Sequence, residues 1–231
     1  MENIFWEGLE LVIFDVDGTL YRQSKLRKTM LFKLLCYYTL RPRKYRELLI
    51  LYHFRKEREN RHDYSGSNLE EEQYEWPAAL LKTKPEKIKK VIEDWMYTAP
   101  NPYLKSVLYP GIAQFFTDLK QYGIKTAIYS DYKSDDKLQA MGLSADLQIC
   151  STDKRVNSFK PLPRGLLVIL EELRIKHKGN CLFIGDRFEL DGLCAERAGI
   201  PFLLVDKDIA DINLYTELST QLNQNRSYKK Q

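Results

Sequence analysis

Residues 9–19 read LELVIFDVDGT, an apolar run broken only by Glu10 that ends in two aspartates, a glycine and a threonine. An apolar stretch of this length closed by a turn signal predicts a strand buried on both faces, as in a parallel sheet. The acids then sit at its carboxyl end. Taken alone, Asp15 and Asp17 equally suit a cap or a turn closed by Gly18. Their meaning depends on what the rest of the chain brings to the same edge.

Downstream of Pro110-Gly111 the pattern alternates: helices over residues 112–122, 133–141, 164–176 and 192–198, and strands over 125–129, 147–150, 181–184 and 201–205. Strands alternating with amphipathic helices predict a parallel α/β sheet covered on both faces, with its functional crevice at the carboxyl ends of the strands. The residues just past those ends are Asp15 and Asp17, Ser130 and Asp131, Ser151 to Asp153, and Asp186 with Arg187. Between the first strand and this series, residues 21–107 carry apolar side chains at helical spacing, among them Met30, Leu34, Leu48, Leu51, Ile88 and Val91. The expected organisation is a core of residues 1–20 and 108–218, an inserted helical domain of residues 21–107, and a polar tail, 219–231, that frays.

Apolar residues make up 44% and charged residues 29% of the 231, which is a folded rather than a disordered composition. No apolar run reaches the length of a membrane span, and the acidic amino terminus does not resemble a secretory signal, so a cytoplasmic protein is expected. The four cysteines have no metal-like spacing and read as reduced residues, mostly of the core. His53, His62 and His177 form no metal pattern either. The formal charge of +4 is concentrated early: residues 22–61 hold thirteen Lys or Arg against Glu47, Glu57 and Glu59. That stretch should attract anions.

Four polar signals thus fall in chain order at successive strand ends: Asp15-Val16-Asp17-Gly18-Thr19, Ser130, Lys160 before Pro161, and Gly185-Asp186 with Asp191. In this set the chain resembles the haloacid dehalogenase superfamily over roughly residues 9–206, with the helical insertion where many members carry a cap. The resemblance implies a Rossmann-like core, a Mg²⁺ cofactor and a phosphatase acting on a small phosphorylated metabolite. By that likeness Asp15 is the nucleophile that forms an aspartyl phosphate, and Asp17 is the acid and then the base. Asp15, Asp186 and the Asp17 carbonyl would bind the metal, an all-oxygen set that suits Mg²⁺ better than zinc. Lys160 would neutralise the phosphoryl group and the nucleophile, with Asp191 supporting it. Thr19, Ser130 and Asp131 would meet the substrate, Ser130 through a phosphoryl oxygen.

Each signal has a plainer alternative, such as Ser130 or Asp186 capping a helix or Lys160 lying solvated in a loop. The insertion would choose the substrate. Its basic and aromatic segment over residues 30–54 is read as helical-domain core with a solvated cationic face, in preference to a substrate- or membrane-binding surface. Tyr21 and Arg22, just past the first motif, are the expected contacts beyond the phosphate. A dehalogenase has no need of the acid at Asp17, and a P-type pump needs membrane helices. A phosphomutase and a non-catalytic binding protein stay as alternatives, and no nucleic-acid-binding motif is present.

Overall fold

Four buried apolar residues, LVIF, form β1 (Leu11–Phe14), and such a strand is stable only with cover on both faces. In the structure, a computed structural model that describes residues 6–227, the chain leaves β1 for a helical block. The block comprises α1 (Gln23–Thr39), α2 (Arg46–Glu59), α3 (Leu69–Leu81), α4 (Pro85–Ile92) and α5 (Asn101–Leu104). The alternating part follows: α6 (Ile112–Gln121), β2 (Lys125–Ser130), α7 (Asp135–Met141), β3 (Leu147–Cys150), α8 (Arg164–Glu172), β4 (Cys181–Gly185), α9 (Leu193–Ala198) and β5 (Phe202–Leu204). Two helices close the described chain, α10 (Lys207–Ile212) and α11 (Leu214–Ser227).

The five strands pair in parallel in the order β3-β2-β1-β4-β5, so the sheet is the parallel α/β one expected. Successive residues of a strand point to opposite faces. Val12 and Phe14 accordingly pack with Phe115, Phe116 and Tyr215 on one side, and Leu11 and Ile13 pack with Phe183, Leu166 and Cys194 on the other. β1 lies at the centre, with Phe14 level with Ile128 of β2 and Ile184 of β4. This register sets Asp15, Ser130 and Asp186 side by side at one edge of the sheet.

Three expectations need correction. The tail does not fray at residue 219: α11 runs through Ser227, because Leu214, Tyr215, Leu218 and Leu222 recur at helical spacing and are fully buried in the same cluster as Phe115 of α6. Gln224 and Asn225 are exposed, while Gln221 and Asn223 are half-buried and bond Trp6, Tyr122 and Asp118; residues 228–231, like residues 1–5 of the amino-terminal stretch, lie outside the described residues. Of the cysteines, Cys181 and Cys194 are buried, but Cys150 is half-buried and Cys36 is exposed on α1. The apolar residues of α1 and α2 are likewise only partly core. Ile50, Leu51 and Phe54 pack with Tyr74, Ile88 and Ile92, whereas Phe32, Leu35 and Leu49 face solvent.

The helical block is tied to the alternating part by specific contacts. Leu69 N donates to Asn157 Oδ1 at 3.0 Å, Phe159 N to the Tyr64 carbonyl at 3.0 Å, and Thr152 Oγ1 to Glu70 at 2.8 Å. The buried Arg58 of α2 donates to the Asp131 carbonyl at 2.5 Å and lies 4.3 Å from the ring centroids of both Tyr132 and Phe159. A cation so placed gains from its hydrogen bonds and from the ring faces together.

Candidate active site

After β1 the backbone must turn sharply while keeping two carboxylates at the sheet edge. Gly18 makes this possible: its φ of +100° is one that side-chain-bearing residues rarely adopt, and a Cβ there would run into the Asp186 carboxylate. Asp15 N continues the ladder by donating to the Ile184 carbonyl at 2.9 Å, and the amides of Thr19 and Leu20 return to the Val16 carbonyl. The Tyr215 hydroxyl of α11 donates to the Thr19 carbonyl at 2.5 Å, so the last helix braces the turn from behind.

At the base of the site, Lys160 is only 2% exposed and its Nζ donates to Asp15 Oδ1 and Asp191 Oδ1, each at 2.8 Å. Burial alone would lower the Lys160 pKa, but Asp15 and Asp191 outweigh it and hold the ammonium charged. Thr19 Oγ1 donates to the other Asp15 oxygen at 3.2 Å. Asp191 also takes the Arg187 amide at 3.2 Å, from a π-helical turn over Phe188–Gly192 that brings it under Lys160. Ser130 Oγ accepts the Tyr132 amide at 3.3 Å, and Asp131 accepts Ser151 Oγ at 2.9 Å and faces Arg187 at 3.6 Å.

Asp17 turns to different partners. Its Oδ1 accepts the Tyr21 hydroxyl and the ammonium of Lys137, the latter at 2.7 Å. Burial would raise its pKa, yet Lys137 and Tyr21 outweigh burial and hold the carboxyl below its ordinary value. Asp15 is moved the other way. Burial, assisted by Asp191 and Asp17, outweighs Lys160 and pushes it up to about 7. Burial also raises Asp186, against the pull of Lys207 at 3.0 Å, and Asp191, against the pull of Lys160.

These three raised carboxyls form the one group that could hold a cation among the described residues: oxygens of Asp15, Asp186 and Asp191 lie within 4.8 Å of one another. All are hard oxygen donors, and three carboxylates gathered this closely face only two ammonium groups, Lys160 and Lys207. The residues therefore fit a divalent cation such as Mg²⁺. Without a metal, each raised carboxyl stabilises the fold fully below its unfolded pKa, near 3.8, and loses that contribution as pH climbs through the folded value, about 7 for Asp15. A cation that binds only the ionised forms opposes this loss. Adding about 10 mM Mg²⁺ is thus expected to raise Tm more at about pH 8 than at about pH 5. An equal rise at both, or none, in a thermal melt would contradict it.

The carboxylates lie at the foot of a cavity of ≈ 680 Å³ roofed by the helical block. Asp15, Asp17, Ser130, Asp131, Lys160 and Asp186 all line it, and Tyr21 does too. Arg22 does not. Its guanidinium pairs with Asp211 and donates to the Leu108 carbonyl at 2.8 Å, because the chain turns into α1 at this residue and directs the side chain to the outside of the core. The expectation of a substrate contact at Arg22 is corrected accordingly.

Besides Lys160, the cations that reach the cavity are Lys137, Lys207, Arg187, Arg58, Arg27 and Arg55. Of these only Arg187 falls at a strand end that the sequence pattern marks as part of the crevice. Lys207 could have been found by the same rule, since it opens the helix after the last strand. Lys137 is a lone lysine in a seven-residue helix and carries no local signal. Among the described residues, no acid lies within ion-pair reach of Arg27 or Arg55, which leaves two cations open to the cavity.

A family model described as haloacid dehalogenase-like hydrolase matches residues 9–199. No curated protein matches the chain. Among solved structures, a HAD phosphatase from Thermococcus onnurineus is 22% identical, with 86% of each chain covered and a TM-score of 0.56. The HAD-hydrolase YfnB from Bacillus subtilis, described as bound to magnesium, is 18% identical over 94% of this chain and 100% of its own, at 0.60. A β-phosphoglucomutase from Clostridium difficile is 17% identical over 95% and 99%, at 0.56. At these identities the likenesses establish the fold.

Proposed function

The chain belongs to the haloacid dehalogenase-like hydrolases, and we propose that it hydrolyses a small phosphate monoester through an aspartyl phosphate on Asp15. The observation that carries this reading is the Asp15 carboxylate at the foot of the cavity, with one oxygen on the buried Lys160 and the other on Thr19. A carboxylate held at both oxygens presents a fixed nucleophile to a phosphorus atom above it.

In this mechanism an Asp15 oxygen forms the new bond to phosphorus as the bond to the leaving oxygen breaks, and Asp17 gives that oxygen its proton. Asp17 then takes a proton from the water that attacks the phosphoryl group, which frees Asp15 and releases inorganic phosphate. The ionised Asp17, held by Lys137, is ready for the second step. For the first it must carry a proton, against the pull of Lys137. Ser130 and Lys160 would bind phosphoryl oxygens. Asp15, Asp186 and the Asp17 carbonyl, with Asp191 beside them, would hold Mg²⁺, which when bound neutralises phosphoryl charge. The helical block would serve as the cap over residues 21–107, and Arg27 and Arg55 would meet the part of the substrate beyond the phosphate.

Phosphate release from an aryl phosphate and from a panel of metabolite monoesters, with Mg²⁺ or with chelator, tests the reading. Metal-dependent release is expected. If instead sugar phosphates are isomerised without net phosphate release, the enzyme is a phosphomutase, the reading to which the β-phosphoglucomutase likeness would point.

A further inference from the structure

α1 and α2 are apolar on two faces. Their inner faces enter the core through Leu26, Met30 and Tyr38 and through Ile50, Leu51 and Phe54. Their outer faces carry a second apolar stripe: Leu31, Phe32 and Leu35 on α1, and Tyr45, Leu48, Leu49 and Tyr52 along α2, spaced three and four apart as one helix face requires. With Leu40 at the turn, these are eight of the thirteen large apolar side chains that the described residues expose, and they are 39% to 78% exposed. A solvated helix face is ordinarily polar, and apolar patches of this kind mark interaction surfaces.

The surrounding charge identifies the occupant. The turn between the helices presents Arg41, Arg43, Lys44 and Arg46, all exposed. The single acid nearby, Glu47, is engaged by the Tyr38 hydroxyl at 3.0 Å and by Lys44 at 3.8 Å, and among the described residues Arg43 and Arg46 have no acidic partner. A second copy of this chain on the same face would set these cations against their equivalents, which is unfavourable. An anionic bilayer answers both features: apolar side chains enter the acyl boundary, Lys and Arg meet headgroup phosphates, and tyrosines sit at the interface. No helix of the described residues is long and apolar enough to cross a membrane, so the contact lies on the surface.

We propose that the outer faces of α1 and α2, with the basic turn joining them, dock this protein peripherally on anionic phospholipid membranes. The surface adjoins the cavity, since Leu31 belongs to the outer stripe and also lines the cavity wall. Docking thus sets this wall of the cavity next to the bilayer.

The test is flotation of the full chain with vesicles of phosphatidylcholine alone or with about 30% phosphatidylserine, in about 0.1 M salt. The protein is expected to float with the anionic vesicles only. Leu35→Asp with Leu49→Asp, and separately Arg43→Glu with Arg46→Glu, are each expected to weaken that binding at least about tenfold. Both pairs face solvent, so circular dichroism and activity on an aryl phosphate without vesicles should be unchanged. Failure of the unmodified protein to bind either vesicle overturns the proposal, and so does wild-type binding by the leucine variant. A dimer in sedimentation equilibrium that the leucine variant dissolves, without vesicle binding, would assign the surface to a second copy instead.

Discussion

Asp15→Asn is expected to lower phosphate release at least about 10⁴-fold, the order lost when a covalent nucleophile is removed, without lowering Tm. The two halves of this expectation have separate causes. An amide oxygen does not displace an alkoxide from phosphorus, so the chemistry stops. The fold does not suffer, because ionised Asp15 is desolvated among Asp17, Asp186 and Asp191, and only Lys160 and Thr19 favour it. Neutralising it removes that repulsion while Lys160 keeps Asp191 at 2.8 Å. Steady-state kinetics with Mg²⁺, read beside a thermal melt without it, checks both. Residual activity above about a hundredth of wild type would place the nucleophile elsewhere.

Lys160→Met is expected to have the largest effect on stability, about 3–5 kcal/mol, and to abolish activity as well. Methionine keeps much of the volume and loses the ammonium that two buried carboxylates share. Leaving buried charge without its partner costs more than the pair contributes when intact, because the desolvation penalty then stands alone. For a chain of this length that loss lowers Tm by on the order of 10 °C. The loss should shrink when Asp191→Asn is added, since one of the two stranded charges goes with it. Chemical denaturation of the single and double variants measures this coupling. Equal stability of the two would mean that the Lys160 pairs carry no weight, and that the buried ammonium is held by its contacts with Tyr129 and Phe183 instead.

Much of this architecture was legible before any coordinates. The run LVIF admits one explanation, a strand covered on both faces, and the alternation after Gly111 sets four more strands beside it. In parallel strands all carboxyl ends lie at one edge, so Asp15, Asp17, Ser130 and Asp186 converge by topology alone. Lys160 is grouped with these strand-end signals in the sequence, but it lies ten residues beyond β3 (Leu147–Cys150), and its role there is implied only by the family resemblance. The helix at the end of the chain is masked in the sequence by its Asn- and Gln-rich composition; its signal is the spacing of Leu214, Leu218 and Leu222.

Tertiary structure alone decided the rest. Periodicity tells which residues share a face of a helix but not what covers that face, so the sequence does not distinguish the exposed outer stripe of α1 and α2 from core. Adjacency in sequence says little about where a long side chain ends: Arg22, next to the catalytic turn, leaves for Asp211, while Lys137, 120 residues away, reaches Asp17. What the sequence by itself determined is the set of carboxylates and the edge they share, because strand direction and local pattern suffice for that. Which cation meets which carboxylate, and hence which acid is held ionised and which is pushed towards neutrality, depends on distances and burial that exist only once the chain has folded.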